Sequence, residues 1–221
     1  MKSWFVPALI ILFITSGCAQ APQPQKVIFI GDSVTQNWGS GQFGQAFVQN
    51  SNWIDKGISG QNSTQVLARF QTDVIDAHPA IVHLLAGTND VYPGWQLCQG
   101  NTINSCANIA AMVALAQAAN IRVILGTIPP WGPGSLPEEA DSSPARYTRI
   151  SEWNAWLKQY GKENSITVLD YHVVLQAADG EQYVPSLTAD GVHPSTSGFA
   201  LMTPLAEQAI AGALQQAPRS P

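Results

Sequence analysis

Charge is what this sequence has least of. Asp, Glu, Lys and Arg together make up 11% of its 221 residues, against roughly 25% in ordinary soluble domains. No basic run or stripe occurs, and the formal net charge is −5, so nucleic acid is a poor candidate partner. Scarce charge does not mean disorder, because 45% of the residues are apolar and disordered chains are poor in apolar residues. Internal repeats and a second domain are also missing, and the length suits one domain with a sizeable core. Cysteines number three and histidines four. No histidine lies close in sequence to Cys98 or Cys106, so a metal site is a weak reading, and no metal or cofactor is expected. The G-x-S-x-G motif of the α/β-hydrolase elbow is absent: Gly31-Asp32-Ser33-Val34-Thr35 carries Thr where the second Gly would stand.

The N-terminus reads as a targeting segment. Lys2 gives a short positive start, Trp4 to Thr15 form an apolar stretch too short to span a bilayer comfortably, and Ser16-Gly17 precede Cys18. The small-small-Cys ending resembles a bacterial lipoprotein signal, in which Cys18 becomes the lipidated first residue; Thr15 stands where Leu is more usual. Plain signal-peptidase cleavage near Ala19 or Ala21 is the alternative. The expected organisation is a signal over 1–17, a Pro/Gln-rich tether over 18–25, a catalytic domain over 26–216 and a tail over 217–221. The expected location is outside the cytoplasm: periplasmic or outer-membrane-anchored through a lipid on Cys18, or secreted. A membrane is expected as a partner only through that anchor. Export agrees with a Cys98–Cys106 disulfide closing a short polar loop, free thiols being the other option.

Apolar runs of strand length at 27–30, 53–58, 81–86, 121–127 and 166–170 alternate with helix-like segments at 65–77, 107–119, 146–160 and 197–215. Asn120 and Gly161 are natural helix stops. This alternation predicts a five-stranded parallel sheet with helices on both faces. Ligands bind beyond the C-terminal ends of such strands. Ser33, Gly60, Gly87-Thr88-Asn89-Asp90 and Thr127-Ile128-Pro129-Pro130-Trp131 all follow strands and should share that edge.

Ser33, at the tip of the first strand, is the candidate nucleophile, and it needs a neighbouring base to take its proton. Its alternative role is to N-cap the segment that follows. Ser59 competes but reads as a turn residue. His193 is the candidate base, because it alone among the histidines stands beside an Asp in a loop opening a helix. Asp190 would orient it, giving a Ser-His-Asp set in the order Ser…Asp…His. A surface Asp-Gly turn with a solvated imidazole is the bland reading of the same residues. The Ser33 N–H, the Gly60 N–H and the Asn89 amide are candidate donors to a developing oxyanion, although Thr-Asn-Asp is also an ordinary turn sequence. Asp90 reads as structural, tying down its loop.

Gly31-Asp32-Ser33, Gly57-x-x-Gly60, Gly87-x-Asn89-Asp90 and Asp190-x-x-His193 together resemble the GDSL/SGNH hydrolases in order and spacing, with that family's four defining residues falling on Ser33, Gly60, Asn89 and His193. The resemblance runs from about Val27 to Gln215. It implies a flavodoxin-like three-layer α/β/α fold, no metal, and hydrolysis of carboxylic esters. The departures are in the loops from Trp95 to Cys106 and from Pro129 to Pro144. Trp38, Trp95 and Trp131 fall near the site edge and are candidate substrate-binding residues. The loops are polar and rich in Gly and Pro, which favours a short acyl group. The stretch Leu85-Ala86-Gly87-Thr88-Asn89-Asp90 resembles the carbohydrate-acetylesterase branch. A lysophospholipase, thioesterase or arylesterase, or a non-catalytic carbohydrate-binding lipoprotein, are the alternatives.

Overall fold

The computed structural model describes residues 25–91, 97–99, 104–132 and 144–215. Outside them lie the expected signal 1–17, Cys18, nearly all of the tether, Trp95, the tail 217–221, and parts of the two departing loops.

Five short strands form one sheet: β1 (Val27–Gly31), β2 (Trp53–Gly57), β3 (Ile81–Leu85), β4 (Arg122–Gly126) and β5 (Thr167–Leu169). All neighbours pair in parallel, in the order β2-β1-β3-β4-β5. The chain goes from β1 outward to β2, then crosses back to place β3 on the other side of β1. That reversal makes the C-terminal end of β1 a topological switch point, where the diverging connections leave a crevice. Ser33 sits there.

Alternation along β1 divides two cores, since successive strand side chains point to opposite faces. Ile28 and Ile30 join Val66 and Phe70 of α3 (Ser63–Phe70), Met112 of α4 (Ser105–Ala118) and Trp153 of α5 (Pro144–Glu163). Val27 and Phe29 pack with Trp38 of α1 (Ser33–Gly39), Ala46 of α2 (Ala46–Gln49), Tyr171 of α6 (Tyr171–Leu175) and Phe199 and Met202 of α7 (Thr196–Gln215). Both faces are thus covered, which is why β1 and β3 are apolar along most of their length.

The expected strands and long helices are present with ends shifted by a few residues. The helix expected over 65–77 is α3 followed by a π-helical turn over Gln71–Ile75. Asn120 stops α4 with φ +58°, but Gly161 does not stop α5, which continues through it to Glu163 and meets its left-handed residue at Ser165. The short helices α1, α2 and α6 were not predicted; too brief to show a 3.6-residue period, they owe their place to packing.

One departure concerns Trp38, expected at the site edge. It is 1% exposed, stacked on Phe199 with ring centroids 5.8 Å apart and edge-on to Phe29 and Tyr171, and its indole N–H donates to Thr203 at 3.2 Å. It belongs to the core, because α1 turns its apolar side to the sheet.

Candidate active site

Ser33 opens α1, but the cap is its neighbour. Asp32 accepts from the Val34 N–H at 3.0 Å and so fixes the turn on which Ser33 stands. Asp32 is fully buried, and burial pushes its carboxyl up to about 6 from an ordinary value of 3.8, with the Val34 N–H pulling the other way.

The loop ahead of α7 brings in the partners. His193 Nε2 lies 2.8 Å from Ser33 Oγ, and His193 Nδ1 lies 2.7 Å from Asp190 Oδ2. Asp190 Oδ1 accepts from the backbone N–H groups of Val192 and His193, at 2.9 and 2.8 Å. Burial pulls the Asp190 carboxyl upward, but the hydrogen bonds from the His193 N–H, the His193 ring and the Val192 N–H outweigh it, and the net direction is downward. Tyr183, buried beside this loop, donates its hydroxyl to the Val192 carbonyl at 3.0 Å. The result is one hydrogen-bonded chain from carboxylate to imidazole to hydroxyl, an arrangement able to draw the proton from a serine.

Two more strand ends complete the edge. Gly60, after β2, has φ +77°, a left-handed conformation that suits glycine. Gly87, after β3, has φ +127°, and a Cβ there would strike the Trp153 indole. Between them, Asn89 Nδ2 donates to the Gln61 carbonyl at 2.9 Å. This bond takes one amide hydrogen and leaves the second for another acceptor. Asp90 is fully buried and accepts from Ser63 N at 2.9 Å, Ser63 Oγ at 2.5 Å and Ser105 Oγ at 2.6 Å. It ties the Asn89 loop to the N-termini of α3 and α4, as its expected structural role requires. Beside Ser105, Cys106 is disulfide-bonded to Cys98.

The structure therefore gathers Ser33, Gly60, Asn89, Asp190 and His193 at one edge. Ser59 is exposed in its turn. Trp131 is a second correction: it is 4% exposed and the Arg146 guanidinium sits 4.1 Å from its ring centroid, so that face is already occupied by a side chain and not open for stacking. Trp95 lies outside the described residues. Gln36, Gln61 and Arg69, which brace the Gly60 loop, escaped sequence reasoning. The one available signal was the Arg69/Asp73 spacing of four, which reads as an ordinary helix-surface pair.

Residues 29–201 match the GDSL-like Lipase/Acylhydrolase family. The chain belongs to that family. It is a carboxylic ester hydrolase on the SGNH/GDSL α/β fold. A GDSL-like lipase from Bacteroides thetaiotaomicron superposes with a TM-score of 0.75 at 35% identity, over 86% of this chain and 89% of that one. An acetylxylan esterase of Geobacillus stearothermophilus is 24% identical over 203 residues, 80% of this chain and 90% of that protein. The uncharacterized lipoprotein YqeF of Bacillus subtilis is 33% identical over 98 residues, 39% of this chain and 40% of that protein; the match thus spans less than half of that relative.

Proposed function

We propose that this GDSL-family enzyme is a serine esterase removing short acyl groups, acetyl from carbohydrate first, by way of Ser33, His193 and Asp190. The observation that carries this reading is the unbroken chain Asp190–His193–Ser33, at 2.7 and 2.8 Å, ending at a strand tip on the switch point. In this reaction Ser33 Oγ attacks the ester carbonyl while His193 Nε2 takes its proton. Asp190 holds the ring in the required tautomer and stabilises the imidazolium. The Ser33 and Gly60 N–H groups and the second Asn89 amide hydrogen meet the negative charge that forms on the carbonyl oxygen. The imidazolium then protonates the departing alcohol, and a water deprotonated by His193 releases the acid and frees Ser33.

The acetyl-carbohydrate part draws support from the acetylxylan esterase of Geobacillus stearothermophilus, similar over most of both chains, and from the polar composition of the two departing loops. Export with a lipid on Cys18 draws support from the lipoprotein YqeF and from the Cys98–Cys106 bond, since disulfides persist in oxidising compartments.

The deciding experiment compares hydrolysis of p-nitrophenyl acetate, p-nitrophenyl octanoate and acetylated xylo-oligosaccharides by the wild type and by Ser33→Ala. Acetyl release from the oligosaccharide, faster turnover of acetate than octanoate, and loss of both in Ser33→Ala are expected. A preference for octanoate would replace the short-acyl reading with a lipase-like one. Undiminished turnover in Ser33→Ala would remove Ser33 as nucleophile. Mass spectrometry of the mature protein tests the anchor: a diacylglyceryl group on Cys18 is expected, and an N-terminus beyond Cys18 rejects it.

A further inference from the structure

We infer that Arg69 is the positioning residue that sets the spacing of the oxyanion donors, an inference resting on the serine-esterase reading above. Arg69 lies near the end of α3, and its guanidinium binds four acceptors. Nε donates to Gln61 Oε1 at 2.6 Å. One terminal nitrogen donates to the Lys56 carbonyl and to Asp73 Oδ2, both at 2.7 Å. The other donates to the Gly31 carbonyl at 2.9 Å.

These acceptors belong to the parts that carry the donors. Gly31 ends β1 two residues before Ser33. Lys56 lies near the end of β2, and Gln61 directly follows Gly60. The same Gln61 accepts, through its backbone carbonyl, the Asn89 amide. One planar group thus spans the strand bearing the Ser33 N–H and the loop bearing the Gly60 N–H, and reaches the Asn89 side chain through a single residue. Gln36 of α1 also holds the same loop by accepting from the Ser59 N–H at 2.7 Å.

The loop needs this bracing. Residues 58–60 are exposed and Gly60 has no Cβ to pack, so apolar burial does not fix its position. A fork of donors in one plane does, because its hydrogen-bond directions are set by the guanidinium geometry. Asp73 balances the charge, in a pair only 15% and 19% exposed. Lysine in place of Arg69 keeps the charge and the Asp73 partner but cannot reach strand tip, loop and Gln61 together.

The test is steady-state kinetics of Arg69→Lys and Gln61→Leu on p-nitrophenyl acetate, alone and combined with Asn89→Ala, with thermal melts of each. Arg69→Lys should lower kcat by about 10- to 100-fold, the range that follows from sub-ångström to 1 Å misplacement of catalytic groups, with KM changed by less than about threefold, since transition-state contacts are what is lost. Gln61→Leu, which removes only the Nε acceptor, should fall in the same direction by less. In the double variant with Asn89→Ala the losses should not multiply, because both changes disable one constellation. A kcat for Arg69→Lys within about twofold of wild type, or losses that multiply fully, overturns the inference. Loss confined to the melting temperature, with kcat kept, does the same and leaves Arg69 as a fold-stabilising group. If Ser33→Ala turns over like wild type, the serine-esterase reading fails first and there is no oxyanion hole for Arg69 to position. If Ser33 is essential and Arg69→Lys is neutral, the positioning role alone fails.

Discussion

One carboxylate holds His193 twice. Asp190 Oδ2 faces the His193 ring nitrogen at 2.7 Å, while Asp190 Oδ1 accepts from the His193 backbone N–H at 2.8 Å. Ring and main chain are thus oriented by the same side chain three residues away.

Asp190→Asn should therefore act on more than charge. An amide can turn its NH₂ toward the ring and stabilise the wrong tautomer. A fall in kcat of roughly 10³- to 10⁴-fold at neutral pH is expected, as for other oriented serine-histidine pairs. A loss below about tenfold would show that His193 does not depend on Asp190.

Asn89→Ala should lower kcat by roughly 10²- to 10³-fold, the usual consequence of removing one oxyanion donor. The loop itself should stay in place, since Asp90 anchors it through Ser63 and Ser105. Unchanged kcat in a protein with the wild-type melting temperature would reduce Asn89 to a turn residue.

Two buried groups give stability opposing pH dependences. His83 is fully buried, its Nε2 2.8 Å from the Tyr171 hydroxyl, and burial lowers its pKa to about 3 from 6.5. The unfolded chain takes that proton first, so this contribution is complete above about 6.5 and is lost as pH falls toward 3. Asp32, raised by burial to about 6, works the other way: the folded state holds its proton longer, so stability declines as pH rises from 3.8 to 6. Between those values the two slopes nearly cancel. Asp32→Asn removes one of them. Urea unfolding at pH 4, 5, 6 and 7 should show the variant gaining on wild type as pH rises to about 6, with no further change above. A pH-independent difference would mean Asp32 is ionised throughout.

Reduction of the Cys98–Cys106 bond should destabilise the protein by about 2–3 kcal/mol, the loop-closure value for so short a ring. For a domain of this size that is roughly 5–10 °C in melting temperature. Differential scanning calorimetry of Cys98→Ser/Cys106→Ser measures it, and an unchanged melting temperature would show that α4 is held without the bond.

The sheet and much of the site were legible in the residues. β1 and β3 are apolar nearly throughout because they are covered on both faces, and the parallel arrangement then placed Ser33, Gly60 and Asn89 on one edge. His193 was legible because Asp190 stands three residues before it. Trp38 and Trp131 were misplaced for a common reason: nearness to a strand end fixes where a backbone runs, not the direction of a large ring, and both rings turned to apolar neighbours or a guanidinium. Arg69 stayed hidden because its main acceptors are backbone carbonyls of Gly31 and Lys56, which carry no residue-type signature.

Ser33 and His193 touch across 160 positions of chain, and that has a consequence for how the protein comes into being. Synthesis starts at the N-terminus, so the hydroxyl, the β2 and β3 turns and the whole sheet precede the imidazole. His193 is followed directly by α7, whose Phe199, Met202, Ala206 and Ile210 complete one of the two cores. On the proposed mechanism, a chain broken anywhere between Ser33 and His193 keeps its serine but has no base to arm it, and a break after Trp38 leaves that ring without Phe199. On that mechanism hydrolytic competence waits for residues that follow the whole sheet, and a growing or clipped chain carries an inert hydroxyl.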